Sequence, residues 1–109
     1  MFSMQDELLI PWGHCPQDIA AAAEAELLRE VPPGHPLRGV RVRALAQRRD
    51  CDDVLFEIAA SPAGRFAVVH LTWSGREDQH ASFPSTTFYD SLDTWRRDCM
   101  IPDHEDWID

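Results

Sequence analysis

Apolar residues recur every four positions between residues 16 and 31, which is the spacing of a helix with one buried face. Pro16 suits the first helical position because its missing N–H would have no partner there anyway. Two prolines and a glycine follow Val31 and end the pattern. The spacing therefore predicts a helix with a buried stripe and a solvent side. The stripe is Ile19, Ala23, Leu27 and Val31, and the solvent side carries Glu24, Arg29 and Glu30.

Three runs with strand-like patterns follow, at 40–47, 54–58 and 66–73. The first two alternate in the way expected of half-buried strands, and the third is apolar on both faces, which is typical of a central strand. The connections at 49–52 and 61–64 are short and rich in turn-forming residues, so neighbouring strands should run antiparallel. The pattern predicts a meander of three strands, or of four if 86–89 adds a short strand.

The two ends of the chain have simpler patterns. Residues 1–13 are predicted to be an extended lead-in, because Pro11 and Gly13 break any helix. A second helix is predicted to begin at Asp90 or Ser91 and to end at Pro102, followed by an acidic tail at 103–109. The order predicts a single α+β domain over 1–109, an antiparallel three- to four-stranded meander flanked by an N-terminal and a C-terminal helix on one face. Its predicted core is Ile19, Leu27, Val40, Val42, Phe56, Ile58, Phe66, Val68, Leu71 and Trp95.

The composition sets limits on function. With 109 residues and 44% hydrophobic content, the chain can bury a modest core. Its formal charge of −9 argues against binding to nucleic acid or to an anionic membrane. Three isolated cysteines indicate reduced thiols, and no apolar run has the length of a membrane-spanning helix. All ten basic residues are arginine, which is typical of a GC-rich bacterial gene, so we expect a cytoplasmic bacterial protein.

Five of the ten arginines lie within twelve positions, at 38–49, with no acidic residue before Arg49 to interrupt them. Arg41 and Arg43 would form a row on the outward face of the first strand. The favoured interpretation is that this row protects an edge strand and pairs with acidic neighbours such as Glu57. The alternative is a recognition stripe for a carboxylate or phosphate, because the guanidinium offers a planar pair of donors.

The order of helix, three strands and helix resembles the double-stranded-RNA-binding arrangement in topology. Those modules need basic residues at the start of the second helix and in a loop between strands. Here acids occupy those places and would repel a phosphate backbone. The acids are Asp50, Asp52, Asp53, Asp90 and Asp93, so no nucleic-acid partner is predicted.

No spacing typical of a metal centre occurs, such as paired cysteines two apart or an HExxH helix, so neither a metal nor a cofactor is predicted. His70 is interpreted as a hydrogen-bonded core histidine. Cys51 is flanked by acids that raise the pKa of a thiol, which disfavours a nucleophile. Cys15 is the better candidate because it lies at a helix N-terminus, but it is interpreted as an ordinary helix-start residue. No catalytic residue is predicted, and a non-enzymatic protein is favoured over an enzyme.

Three segments, FAVVHLTWSG, FPST and CMIPDHEDW, resemble a pattern of small uncharacterised bacterial proteins. The resemblance covers residues 65–107, about two fifths of the chain, and implies no activity. On physical grounds Trp73 ends a strand at the mouth of a long loop. Such an aromatic residue either closes a core or contributes to a binding surface, and the first interpretation is favoured.

The acidic end of the chain carries the functional prediction. Residues 90–109 hold seven acids and two arginines, with Trp107 and Ile108 among them. In size and charge the chain resembles toxin-neutralising immunity proteins, which present carboxylates to a basic target. We therefore predict a non-enzymatic protein-interaction domain, of the immunity or adaptor type, whose partner has a basic surface. The candidate binding residues are Arg41, Arg43, Trp73, Asp103, Glu105, Asp106 and Trp107.

Two alternatives accompany this prediction. A homodimer through a sheet edge is the second partner considered. The other class of function is a small enzyme or ligand-binding domain with a pocket between sheet and helices, where His70, Arg43, Trp73 and acids of the tail would converge.

Overall fold

The computed structural model describes residues 1–59 and 64–108. The elements in chain order are β1 (Trp12–His14), α1 (Gln17–Glu30), β2 (Val42–Arg48), β3 (Asp53–Ile58), β4 (Phe66–His70), β5 (Thr86–Tyr89), α2 (Leu92–Trp95), a π-helical turn (Arg96–Met100) and α3 (Ile101–Ile108). No helix within the described ranges combines the length and the hydropathy needed to cross a membrane.

The strands form one antiparallel sheet in the order β1-β2-β3-β4-β5. The predicted α+β class and antiparallel meander are confirmed, although the sheet has five strands rather than three or four. The fourth predicted strand exists as β5. The additional strand, β1, begins in the predicted lead-in and ends one residue beyond it, with Trp12 paired with Arg48 and His14 with Ala46. Of the turn predicted at 61–64, residues 61–63 lie outside the described ranges.

The two helices cover opposite faces of the sheet rather than one face, and a bulge lies within β2. Ala44 pairs with Phe56 while Ala46 pairs with Leu55, so the strand shifts register between them. Side chains alternate between faces along a strand, and a bulge changes which face follows. The extra residue therefore turns Ala46 away from Ala44, so that Ala44 joins the core on one face of the sheet and Ala46 the core on the other.

The first core lies under α1, and the second lies under the C-terminal helical segment. The first joins α1 to the sheet through Ala23, Leu27, Val31, Leu37, Ala44, Val54, Phe56, Ile58, Ala67, Val69 and Leu71. The second consists of Trp12, Ala46, Leu55, Phe66, Trp95 and Met100.

Most of the predicted core is buried, but four residues are not. Ile19, in the first turn of α1, is 37% exposed, and the buried part of the helix begins at Ala23. Val40, Val42 and Val68 are only partly buried, at the margins of the two cores. The remaining six, which are Leu27, Phe56, Ile58, Phe66, Leu71 and Trp95, are buried as predicted.

The prediction that Pro102 ends the second helix is also wrong. Ser91 caps the segment by accepting a hydrogen bond from the Thr94 N–H, at 3.1 Å. A straight α-helix would bring the ring of Pro102 against the carbonyl four residues earlier. The π-helical turn just before it widens the backbone, with the Ile101 N–H donating to the Arg96 carbonyl, and accommodates the proline. The predicted acidic tail is therefore helical, as α3.

Candidate functional site

Polar contacts made by the first half of α3 fix the helix to the body of the protein. One carboxylate oxygen of Asp103, Oδ2, accepts a hydrogen bond from the indole Nε1 of buried Trp12 at 2.9 Å. The same oxygen lies 3.3 Å from the guanidinium of Arg48. The next residue, His104, donates from Nδ1 to the carbonyl of Ile10 at 2.7 Å. Asp103 therefore supports the fold, and its carboxylate is not free for a partner.

The second half of α3 is open to solvent. Glu105 and Asp106 are exposed, and Trp107 and Ile108 have 45% and 64% of their surface exposed. No residue of the described helix is buried. We call Glu105, Asp106, Trp107 and Ile108 the α3 surface. It combines carboxylates with a large aromatic and a branched aliphatic side chain on one helical turn.

Aromatic side chains pack closely in the core next to α3. The rings of Trp12 and Trp95, both buried, meet edge to face with centroids 5.2 Å apart. Phe2 packs against Trp95 at 6.1 Å, and the guanidinium of Arg96 lies over the Phe2 ring at 5.7 Å. The N-terminal residues therefore close this core, and α3 rests on a well-packed layer.

The arginine row lies elsewhere. Arg43 forms an ion pair with Glu57 across the β2–β3 ladder, at 2.7 Å, as the favoured interpretation of the row expected. Strand β1 pairs only with residues 46–48, so Arg43 is on the part of β2 that lies beyond β1. Asp103 pairs with Arg48, which lies five residues and about 16 Å further along β2 than Arg43. Arg41 is also exposed, one residue before β2 begins.

Trp73 lies in a third region, on a loop that two buried glutamates of α1 hold in place. The carboxylate of Glu30 accepts hydrogen bonds from the backbone N–H groups of Thr72 and Trp73, at 2.9 and 2.8 Å. Glu26 accepts from the Gly75 N–H at 2.9 Å. These contacts hold Trp73 in the left-handed region, with φ of 55°, and leave its side chain 43% exposed.

Glu30 was predicted on the solvent side of α1, and this is wrong. It lies seven residues after Ala23 and Glu26 lies three after it, so both carboxyls share the buried stripe. Burial, followed by the hydrogen bond that its protonated carboxyl donates to Glu26, raises the pKa of Glu30 to about 7, and accepting that bond lowers the pKa of Glu26. The pair therefore retains one proton close to neutral pH.

The loop held by the two glutamates borders a shallow cleft of about 500 Å³. Seven of its eight lining residues have polar side chains, and one oxygen of Asp78 is buried there without a hydrogen-bond partner in the described part of the chain. The lining residues are Thr72, Ser74, Arg76, Glu77, Asp78, Gln79, His80 and Phe83.

The structure does not bring together His70, Arg43 and Trp73, which the alternative prediction placed in one pocket. His70 pairs with Asp53 at one end of β3, whereas Arg43 pairs with Glu57 near the other end, four residues away. Trp73 is hydrogen-bonded to α1, on the opposite face from α3. His70 is exposed rather than in the core. It shares a face of β4 with Phe66 and Val68, but it is the last residue of the strand.

None of the three thiols is activated for nucleophilic chemistry. Burial, followed by the charge of Glu24, raises the pKa of Cys15 to about 11. Burial and Asp103 raise the pKa of Cys99 to about 12. The pKa of Cys51 is also raised, chiefly by burial and then by Asp53, so the predicted direction is confirmed while the main cause differs.

Comparison of the chain with protein-family models, with curated proteins and with solved structures found no match.

Proposed function

We propose that the protein is a non-enzymatic interaction protein, of the immunity or adaptor type, and that it binds a protein with a basic surface through the α3 surface. One observation carries this proposal. Trp107 and Ile108 are exposed beside Glu105 and Asp106 on a helix whose first half is fixed to the body.

Charge supports a basic partner. The α3 helix carries three acids and no arginine, and the whole chain has a formal charge of −9. Such a field accelerates encounter with a basic surface, and an exposed tryptophan can then fill an apolar pocket on the partner. Because α3 is already helical and anchored through Asp103 and His104, little backbone order has to be gained on binding.

Two of the other predicted binding residues already have partners within the fold. Arg43 is paired with Glu57, and Asp103 with Arg48, so neither belongs to the proposed surface.

The cysteines are free thiols, which supports a reducing compartment such as the bacterial cytoplasm. A homodimer through a sheet edge is an alternative partner that the same experiments can distinguish.

The test compares matched variants in capture from bacterial lysate, followed by titration of the captured and purified partner. Trp107→Ala removes the exposed aromatic anchor. Leu28→Ala is the control, because Leu28 is 62% exposed on α1, on the other side of the sheet. We expect Trp107→Ala to weaken binding by about 30-fold or more, and Leu28→Ala to leave it unchanged.

A second comparison tests the carboxylates. A variant with Glu105→Gln and Asp106→Asn should slow association and reduce its dependence on salt concentration. Equal binding by wild type and Trp107→Ala would overturn the proposal. A complex containing only this chain, with its mass doubled in light scattering, would identify the homodimer instead.

A further inference from the structure

A thiol, a carboxylate and an imidazole meet where β3 begins and β4 ends. Asp53 and His70 are direct partners in the β3–β4 ladder, and His70 Nδ1 lies 2.7 Å from Asp53 Oδ1. Cys51 is in the turn just before β3. Each of the three residues has one metal-ligating atom within 4.8 Å of such an atom on each of the others. No other cluster of this kind occurs among the described residues.

We propose that Cys51, Asp53 and His70 form a binding site for one divalent transition-metal cation of the zinc class. Three protein ligands leave a fourth tetrahedral position for water or a further ligand. The imidazole is exposed, and Asp53 and Cys51 are only partly buried, so an ion from solvent can reach the ligands.

The ligand types select this class of ion. Thiolate and imidazole bind zinc and its neighbours, whereas magnesium and calcium require mainly oxygen ligands. On binding, the thiol proton is released to solvent and His70 binds as the neutral imidazole through the ring nitrogen that carries no proton. The Cys51 thiolate and the Asp53 carboxylate then carry two negative charges that a divalent cation neutralises. Asp52, which is exposed between them in the sequence, adds to the negative potential around the site.

Backbone hydrogen bonds hold together the segments that carry the three ligands. The Leu71 N–H donates to the Asp52 carbonyl at 3.2 Å, and the His70 N–H donates to Ser85 at 2.9 Å. The turn and the end of β4 are thus tied to each other and to the segment before β5.

The proposal departs from the prediction of no metal, which considered only ligands close together in the sequence. Here the register of two strands supplies the spacing, since Asp53 and His70 are seventeen residues apart. The site is separate from the α3 surface, so each proposal can fail without the other.

The test is titration of the reduced, untagged, full-length protein with Co²⁺, followed by competition with Zn²⁺. Tetrahedral cobalt bound to a thiolate gives intense visible bands and a sulfur-to-metal charge-transfer band in the near ultraviolet. We expect both at one equivalent of Co²⁺ and their loss when Zn²⁺ is added. Absence of the charge-transfer band would overturn the proposal.

Matched variants locate the site. Cys51→Ser and His70→Ala should each lower the affinity for Co²⁺ by about 100-fold or more, and Cys51→Ser should abolish the charge-transfer band. Cys15→Ser and His80→Ala are the controls, since they remove the same groups elsewhere and should change neither spectrum nor affinity. Circular dichroism verifies that each variant is folded. A band that persists in Cys51→Ser, or disappears in Cys15→Ser, would place the metal elsewhere and overturn the assignment.

Discussion

The two faces of the sheet are covered by helices that are held in different ways. On one face, α1 contributes an apolar stripe together with the buried carboxyls of Glu26 and Glu30, so its buried contacts extend from Ala23 to the end of the helix. On the other face, α3 contributes no buried residue, and Asp103 and His104 attach it by hydrogen bonds. The face of α1 that packs over several turns is committed to the fold. The α3 helix is fixed to the body at one turn, so its following turn remains available to a partner.

The first prediction tests whether both faces are packed cores. Phe56 is buried under α1 and Phe66 under the C-terminal segment. Replacing either with alanine should lower the free energy of unfolding by about 3–5 kcal/mol, because each leaves a cavity in a buried cluster. Urea denaturation measures both, with Leu28→Ala as an exposed control expected to change stability by less than about 0.5 kcal/mol.

A loss of less than about 1 kcal/mol for Phe66→Ala alone would contradict the second core. The C-terminal segment would then rest on the sheet without being packed against it, and the comparison between the two faces would have to be drawn differently.

The second prediction concerns the buried carboxyl pair under α1. The pKa of Glu30 is raised by burial from 4.5 to about 7, so the folded protein holds a proton that the unfolded chain releases. This contribution to stability is complete below about pH 4.5 and is lost as the pH rises through about 7. The free energy of unfolding should therefore fall by on the order of 1–3 kcal/mol between pH 5 and pH 8.

Glu30→Gln, which mimics the protonated carboxyl, should remove most of this pH dependence. Glu105→Gln on the exposed turn of α3 should leave it unchanged, and urea denaturation at several pH values measures all three proteins. The lowered pKa of Glu26 acts in the opposite direction, since its contribution is lost as the pH falls below about 4.5. A wild-type stability that is constant or rises between pH 5 and 8 would contradict the shared proton.

Features encoded by local spacing could be predicted from the sequence. The stripe of α1, the alternation in β3 and the short connection between β2 and β3 each follow from residues a few positions apart. The bulge in β2 could not be found in this way. Ala44 and Ala46 are identical side chains, so the pattern contains no sign that they face opposite sides of the sheet.

The same limit applies to the candidate sites. Asp103 reaches Trp12 and Arg48 only because the π-helical turn carries the helix past Pro102, and proline by itself indicates an end. Asp53 and His70 meet through strand register, which depends on the whole ladder. Glu30 is different, because its position on the apolar stripe of α1 was readable, and the charge of the side chain was given more weight than its spacing.

The third prediction tests the anchor of α3 against its exposed turn. Asp103→Ala removes the acceptor of the Trp12 indole N–H and leaves that buried donor unpaired, while Arg48 keeps its second partner, Asp50. The free energy of unfolding should fall by about 1–2 kcal/mol. Asp106→Ala, three residues later on the same helix, removes an exposed carboxylate and should change stability by less than about 0.5 kcal/mol. Urea denaturation of the two variants at the same pH makes the comparison direct. Equal losses of unfolding free energy would mean that the whole of α3 supports the fold. The α3 surface would then not be available to a partner.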